Sequence, residues 1–224
     1  MHTSSRDVIK ALGRSTAALV CVLALASCTS GDSGAEAANP CGTSASSDEE
    51  ALVRKILATE DFETKAYKST SALVDKVKWA VQHMRPGKDS YFTAACRYEV
   101  DDGQRGAYAI FSFGWSPRAT SDVPVSPGSA SYAWNGTGGV ASDSGATLLV
   151  QCDLPGELGA QSRNVRLSAD AMFSFRPSRP VADQAAKDQR MTLTYLMTRR
   201  VTEALGCENK PLEKPPVVKR LPTP

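Results

Sequence analysis

YFTAACRYEV at residues 91–100, the turn DDG at 101–103 and AYAIFSFGW at 107–115 together decide the fold. Phe92, Ala94, Cys96, Tyr98 and Val100 alternate with polar or small residues in the first run. Ala107, Ala109, Phe111, Phe113 and Trp115 recur at the same spacing of two in the second. A period of two places each set on one side of a strand. Asp101-Asp102-Gly103 is turn chemistry, so the two runs read as an antiparallel hairpin with one buried face.

Further strands follow the hairpin. Ser129–Trp134, Ala146–Asp153 and Asn164–Phe175 have strand character, the last with Val165, Leu167, Ala169, Ala171, Phe173 and Phe175 on one side. Pro117–Pro127 and NGTGGVASDSG (135–145) read as loops. Ahead of the hairpin, Ser47-Asp48-Glu49-Glu50 is a capping box for a helix over 48–58, with Leu52, Val53, Ile56 and Leu57 as its apolar stripe. ATEDFETKAYK (58–68) reads as a polar connection. A second helix is expected from Ser71 to Arg85, stopped by Pro86-Gly87. A third is expected from Val181 to Leu205, with Ala182, Ala186, Leu193, Leu196, Met197, Val201, Ala204 and Leu205 facing the core and Gly206 ending it. The sum is an α+β fold. It has one antiparallel sheet of about five strands, with the N-terminal helices and a long C-terminal helix packed on one face.

The N-terminus has a different pattern. Arg6, Lys10 and Arg14 precede the apolar run TAALVCVLALA (16–26), which has the tripartite form of an export signal. At ~1.5 Å rise per residue that run covers about half of a ~30 Å bilayer core, too little for a comfortable span. No Arg-Arg pair precedes it, which favours the general secretory route. Leu25-Ala26-Ser27-Cys28 closes the run and looks like a bacterial lipobox. That resemblance implies cleavage after Ser27 and a diacylated Cys28 at the extracytoplasmic face of the cell membrane. Two acyl chains hold a protein stably where one does not.

The expected organisation is a signal peptide at 1–27, a flexible Ser/Gly/Ala tether at 28–47, a domain at 48–207 and a Pro-rich disordered tail at 208–224. The tether reaches on the order of 25 Å. Of 26 basic side chains the signal carries Arg6, Lys10 and Arg14, and of 24 acidic ones it carries Asp7, leaving 23 of each in the mature chain. That balance argues against nucleic acid as a partner.

Cys21 leaves with the signal, so Cys41, Cys96, Cys152 and Cys207 remain beside Cys28. An even set of thiols in an exported chain reads as disulfides. Cys41–Cys96 with Cys152–Cys207 ties a helix end to the sheet twice and is the preferred pairing. Cys41–Cys207 with Cys96–Cys152 stays open. No spacing resembles a zinc site, no calcium loop is present and no cofactor is implied.

Candidate site residues are few. His83, the sole histidine after the signal, lies on the flank of the second helix beside Trp79. It reads as a surface histidine resting on a tryptophan rather than as a general base, because no acid or nucleophile is placed to work with it. Asp101-Asp102 and Glu60-Asp61-x-Glu63 read as a turn and a solvated connection. Asn135-Gly136-Thr137-Gly138-Gly139 reads as a hairpin loop, since a strand and not a helix follows it. Trp115, Tyr132 and Trp134 line a groove only if the outer face of the sheet is open, and core positions are commoner for such residues. Pro211, Pro215 and Pro216 sit in the overhanging tail.

LASC (25–28), Asn39-Pro40-Cys41 before a helix, Ala95-Cys96-Arg97-Tyr98 on a strand and Ala204-Leu205-Gly206-Cys207 ahead of a Pro-rich tail make a set. In these the chain resembles small secreted lipoproteins of high-GC Gram-positive bacteria. The first half is similar to a lipoprotein family with an Asp-Pro-Cys opening and a later Cys-Arg-aromatic strand. Asn39 replaces the acid here, and the long last helix departs from that family. No catalytic residues come with the resemblance. The expectation is a lipid-anchored, non-enzymatic binding or envelope-interaction domain, its partner an envelope protein or a small ligand. The alternatives are a carrier of a small apolar ligand and an envelope hydrolase centred on His83.

Overall fold

The computed structural model describes residues 40–42, 47–100, 106–118, 123, 125–134, 137–175 and 181–214. The chain divides into two units, Met1–Ala35 and Glu36–Pro224, and every described residue belongs to the second. The signal, Cys28, most of the tether and the Asp101-Asp102 turn lie outside the described residues.

Seven strands form one antiparallel sheet in the order β1-β2-β3-β7-β6-β5-β4. They are β1 Glu63–Ala66, β2 Thr93–Glu99, β3 Tyr108–Pro117, β4 Ala130–Trp134, β5 Thr137–Ala141, β6 Gly145–Val150 and β7 Val165–Ser174. Two meanders, β1-β2-β3 and β4-β5-β6-β7, meet at the central β3–β7 pair, whose register runs from Tyr108↔Ser174 to Pro117↔Val165. The helices are α1 Asp48–Leu57, α2 Thr70–Gln82, a short α3 Gly159–Ser162 entered through a 3-10 turn at Gly156–Leu158, and α4 Gln184–Leu205.

Local chemistry sets the helix ends. The Ser47 hydroxyl accepts from Glu50 N at 3.2 Å, and the Asp183 carboxylate accepts from Ala186 N at 2.7 Å, each satisfying a donor that the helix cannot. Gly206 closes α4 at φ 72°, a left-handed conformation natural to glycine. Both helical walls lie on one side of the sheet. Trp115 Nε1 donates to Val77 O of α2 at 2.8 Å, while Tyr98 on the same face places its hydroxyl 3.4 Å from Met197 Sδ of α4. Trp115, Tyr98, Tyr132, Phe111, Phe113, Leu148 and Leu167 fill the layer between.

Of the two cystine pairings the structure contains Cys41–Cys96 and Cys152–Cys207, with Cα atoms 5.3 and 5.1 Å apart. The first pins the segment ahead of α1 to β2. The second pins the end of α4 to the segment after β6.

The sheet has seven strands, not about five. Residues 63–66, read as a polar connection, form β1, all four of them exposed. It is held by backbone pairing and by ion pairs of Lys65 with Glu63 and Glu99, so it has no apolar face to show in the sequence. Residues 137–141, read as part of a loop, form β5. A Cβ on Gly139 would stand 2.9 Å from Met191 Cε, so the glycine is dictated by the close approach of α4 rather than by a turn.

A bulge at Ala95 breaks the alternation read for β2. An extra residue reverses the strand's phase. Cys96 and Tyr98 face the helices, whereas Phe92 lies over Gly114 on the opposite face, its ring 3.2 Å from where a Cβ would stand. Residues 208–214, expected in a disordered tail, are packed: Leu212 is buried and Tyr195 donates to Lys214 O at 2.7 Å. Beyond the predicted stripe α4 also buries Lys187, Arg190, Met191, Thr194, Tyr195, Thr198 and Thr202, with Tyr195 meeting the 208–214 segment and Met191 and Arg190 meeting β5 and its turn. The Thr194 and Thr198 hydroxyls return to the carbonyls four residues earlier at 2.8 and 2.6 Å, which satisfies them inside the core.

Candidate functional site

His83 caps the C-terminus of α2 on the surface. Its ring stacks on Trp79 with centroids 4.3 Å apart, and Nδ1 lies 2.9 Å from Trp79 O. Among the described residues no carboxylate or hydroxyl reaches the ring, so the geometry supplies no acid–base pair. Trp79 is 46% exposed and carries Lys76 Nζ 5.7 Å from its ring centroid.

Trp115 and Tyr132 are core residues and line no groove. Trp115 is spent on Val77 O, and the Tyr132 hydroxyl donates to Asp188 Oδ1 at 2.8 Å and accepts from Gln184 Nε2 at 3.1 Å. The side chain of Trp134 lies outside the described residues, as do Asn135 and Gly136. Glu60 is solvated near Arg54, and Glu63 belongs to β1. Among the described residues no group of three or more His, Cys, Asp or Glu side chains converges for a metal. No helix among them is long and apolar enough to cross a membrane.

The open chemistry lies on the sheet face that no helix covers. There the register aligns Val140, Thr147, Asp170 and Ser112 in one row across β5, β6, β7 and β3. Around Asp170 this face holds a cleft of ≈ 350 Å³. Val140, Thr147 and Asp170 make its floor, Ser126 and Ser129 stand on one wall, and Ser144 and Met172 close one end. Met172 is 49% exposed.

The end wall is firmly held. Ser142 Oγ accepts from Gly145 N at 3.1 Å and folds the β5–β6 turn. From α4, Arg190 Nη1 donates to Ser142 O at 2.6 Å and Lys187 Nζ lies 3.8 Å from Asp143 Oδ1; just ahead of that helix, Ala182 N donates to the same Asp143 oxygen at 3.1 Å. The Arg190 guanidinium also sits over Phe173 and Phe175, 5.6 and 5.2 Å from their centroids. These cations serve the turn, not the cleft.

Asp170 has one donor. Thr147 Oγ1 gives its proton to Oδ1 at 2.7 Å, and Oδ2 has no partner among the described residues. Burial pushes the carboxyl above its ordinary pKa, the Thr147 hydrogen bond opposes this, and the charge of Asp89 adds to the rise. Glu99 on the same face behaves oppositely. The Lys65 ammonium holds its carboxyl below the usual range, aided by Arg97 and opposed by partial burial.

Comparison with protein-family models, with curated proteins and with solved structures returns no match for this chain. The sequence did not single out Asp170. Its signal was an acid in the middle of a strand, LSADAMF (167–173), whose neighbours at ±1 are both alanine.

A second cleft, of ≈ 290 Å³, opens between the end of α2 and the β3–β7 margin. Val81, Met84, Pro86, Pro117 and Val165 line it, and Arg85 stands in it without an ion-pair partner among the described residues.

Proposed function

We propose that this chain is a lipoprotein of the extracytoplasmic face of a bacterial cell membrane, cut after Ser27 and lipidated at Cys28. Its tethered α+β domain acts by binding and carries out no catalysis. The observation that carries the binding half is the Asp170 cleft, a hydroxyl-lined hollow with an unpaired carboxylate on the one uncovered face of the sheet. The anchor rests on LASC (25–28) behind its apolar run, and two cystines fit an oxidising compartment. His83, with no partner beyond Trp79 among the described residues, favours binding over hydrolysis.

A small apolar ligand is the second reading. The layer between sheet and helices is filled with side chains, so such a ligand belongs in the Arg85 cleft, where an apolar wall and a guanidinium suit an amphipathic anion.

Intact-mass analysis of the protein from the producing cell's envelope tests the anchor. The expected species starts at Cys28 and carries diacylglycerol. A chain retaining residues 1–27, or a bare thiol at position 28, overturns it.

A further inference from the structure

We propose that the outer-face cleft binds a small soluble organic cation, seating its primary ammonium group on Asp170. The proposal rests on the reading of this face as a binding surface and names the ligand chemistry. A half-buried carboxylate normally brings its own counter-charge or sheds its charge. Among the described residues Asp170 has neither lysine nor arginine as a partner, and its one donor there, Thr147, satisfies Oδ1 only. The nearest contribution from another charged group is that of Asp89, a second negative charge. A cation arriving at Oδ2 removes the mismatch.

The surroundings narrow the choice of cation. Calcium takes six to eight oxygen ligands, commonly with several carboxylates, and the described residues of the cleft contribute one carboxylate. A guanidinium prefers both oxygens of a carboxylate in a planar fork, and Thr147 occupies one of them. An ammonium is a compact charge with three rotatable donors. Oδ2 takes one, and the hydroxyls of Ser126, Ser129 and Ser144, which make no hydrogen bonds of their own among the described residues, are acceptors for the others. Val140 and Met172 offer apolar contact to the carbon body, and ≈ 350 Å³ suits a molecule of a few to a dozen heavy atoms.

Methionine methyl NMR tests this on the full-length lipidated protein in detergent micelles. Met172 lines the cleft, while Met191 and Met197 are core residues and serve as internal references. Ethanolamine and glucosamine are expected to shift the Met172 methyl saturably and leave the references still. Ethylene glycol, which replaces the amine by a hydroxyl, and choline, which keeps the charge without N–H donors, are expected to give no saturable shift. Asp170→Asn is expected to weaken ethanolamine at least tenfold, and Ser112→Lys, which supplies an internal ammonium opposite Asp170, to abolish it. An unchanged response in Asp170→Asn, or an equal response to choline, overturns the proposal. So does a shift seen only with nanodiscs of phosphatidylethanolamine, which carry the same amine on a lipid. A Met172 shift with ethylene glycol and glucose but with no amine overturns the ammonium assignment and leaves the binding surface standing. Silence of Met172 to every probe removes both.

Discussion

Glu99 on β2 and Asp170 on β7 point to the same uncovered face of one sheet, yet one is surrounded by cations and the other by hydroxyls. Lys65 from β1 and Arg97 from its own strand both reach Glu99. Among the described residues Thr147 alone donates to Asp170, with Asp89 as an added negative charge. The pair separates two reasons for an acid on a sheet face. Glu99 belongs to an edge: charged side chains on and beside β1 discourage another strand from adding there, and the acid is part of that arrangement. Asp170 sits near the middle of the sheet, where no edge needs protection, and among the described residues no counter-charge offsets its burial. A titratable group shifted by burial inside a cleft, with no structural use, is where function is to be sought.

The two groups also pull stability in opposite directions with pH. Glu99 has its folded pKa lowered, so it contributes stability above its unfolded pKa, and this is lost as pH falls through the folded value. Asp170 has its folded pKa raised, so its ionised form costs stability at neutral pH, and the cost fades as pH falls through that raised value.

The largest expected effect asks whether the frames under the two acids are equivalent. Cys41–Cys96 braces the β2 half and Cys152–Cys207 the β6–β7 half, and both span 55 residues. The chain-entropy account assigns each about 4 kcal/mol. Replacing either pair by alanine is expected to lower unfolding free energy by about that amount in chemical denaturation. Similar losses locate the difference between the acids in their immediate neighbours. A loss of under half that figure for Cys152–Cys207 alone makes the Asp170 half the better supported by packing and breaks the equivalence.

Thr147→Val comes next. It removes the proton that Thr147 donates to Asp170 while keeping the shape of the β6 side chain. A hydrogen bond to a charged, partly buried group is worth about 1.5–3 kcal/mol, and a loss of that order is expected at pH 7. It shrinks on acidification, since the protonated carboxyl needs the donor less. A loss that stays constant from pH 7 to pH 4 assigns the hydroxyl a packing role and removes Thr147 from the account of Asp170.

How legible these features were in the sequence follows the same division. The hairpin of β2 and β3 was readable because one face is buried and the alternation survives in Phe111, Phe113 and Trp115. The cystine pairing was preferred, with one rival left open, because Cys41 precedes a readable helix, Cys207 ends another, and Cys96 and Cys152 lie on or beside readable strands. β1 was not, because its stability lies in backbone pairing and ion pairs with residues of β2. β5 was not, because Gly138 and Gly139 read as turn residues until Met191 of α4 is placed against them. The Ala95 bulge left no mark that alternation detects. Asp170 occupies an outward position in an alternating strand, where an acid passes for a solvated one. That it lacks a cation depends on which residues of β3, β6 and the 126–129 segment come beside it, and only the fold decides that.

The smallest effect carries the sharpest contrast, because it is one of sign. Glu99→Gln gives up exposed ion pairs, which are screened by salt and weak individually. Its melting temperature at pH 7 is expected to fall by less than that of Thr147→Val, and the difference from the parent chain to close in 1 M salt or as pH drops through the lowered pKa of Glu99. Asp170→Asn is expected to move the other way. The amide oxygen still accepts from Thr147, while the charge whose burial cost stability at neutral pH is gone, so the melting temperature rises. Two isosteric changes on one sheet face, each removing a negative charge, should therefore shift the transition in opposite directions. If both lower it, Asp170 has a stabilising partner after all, and the case for a ligand completing its electrostatics fails with it.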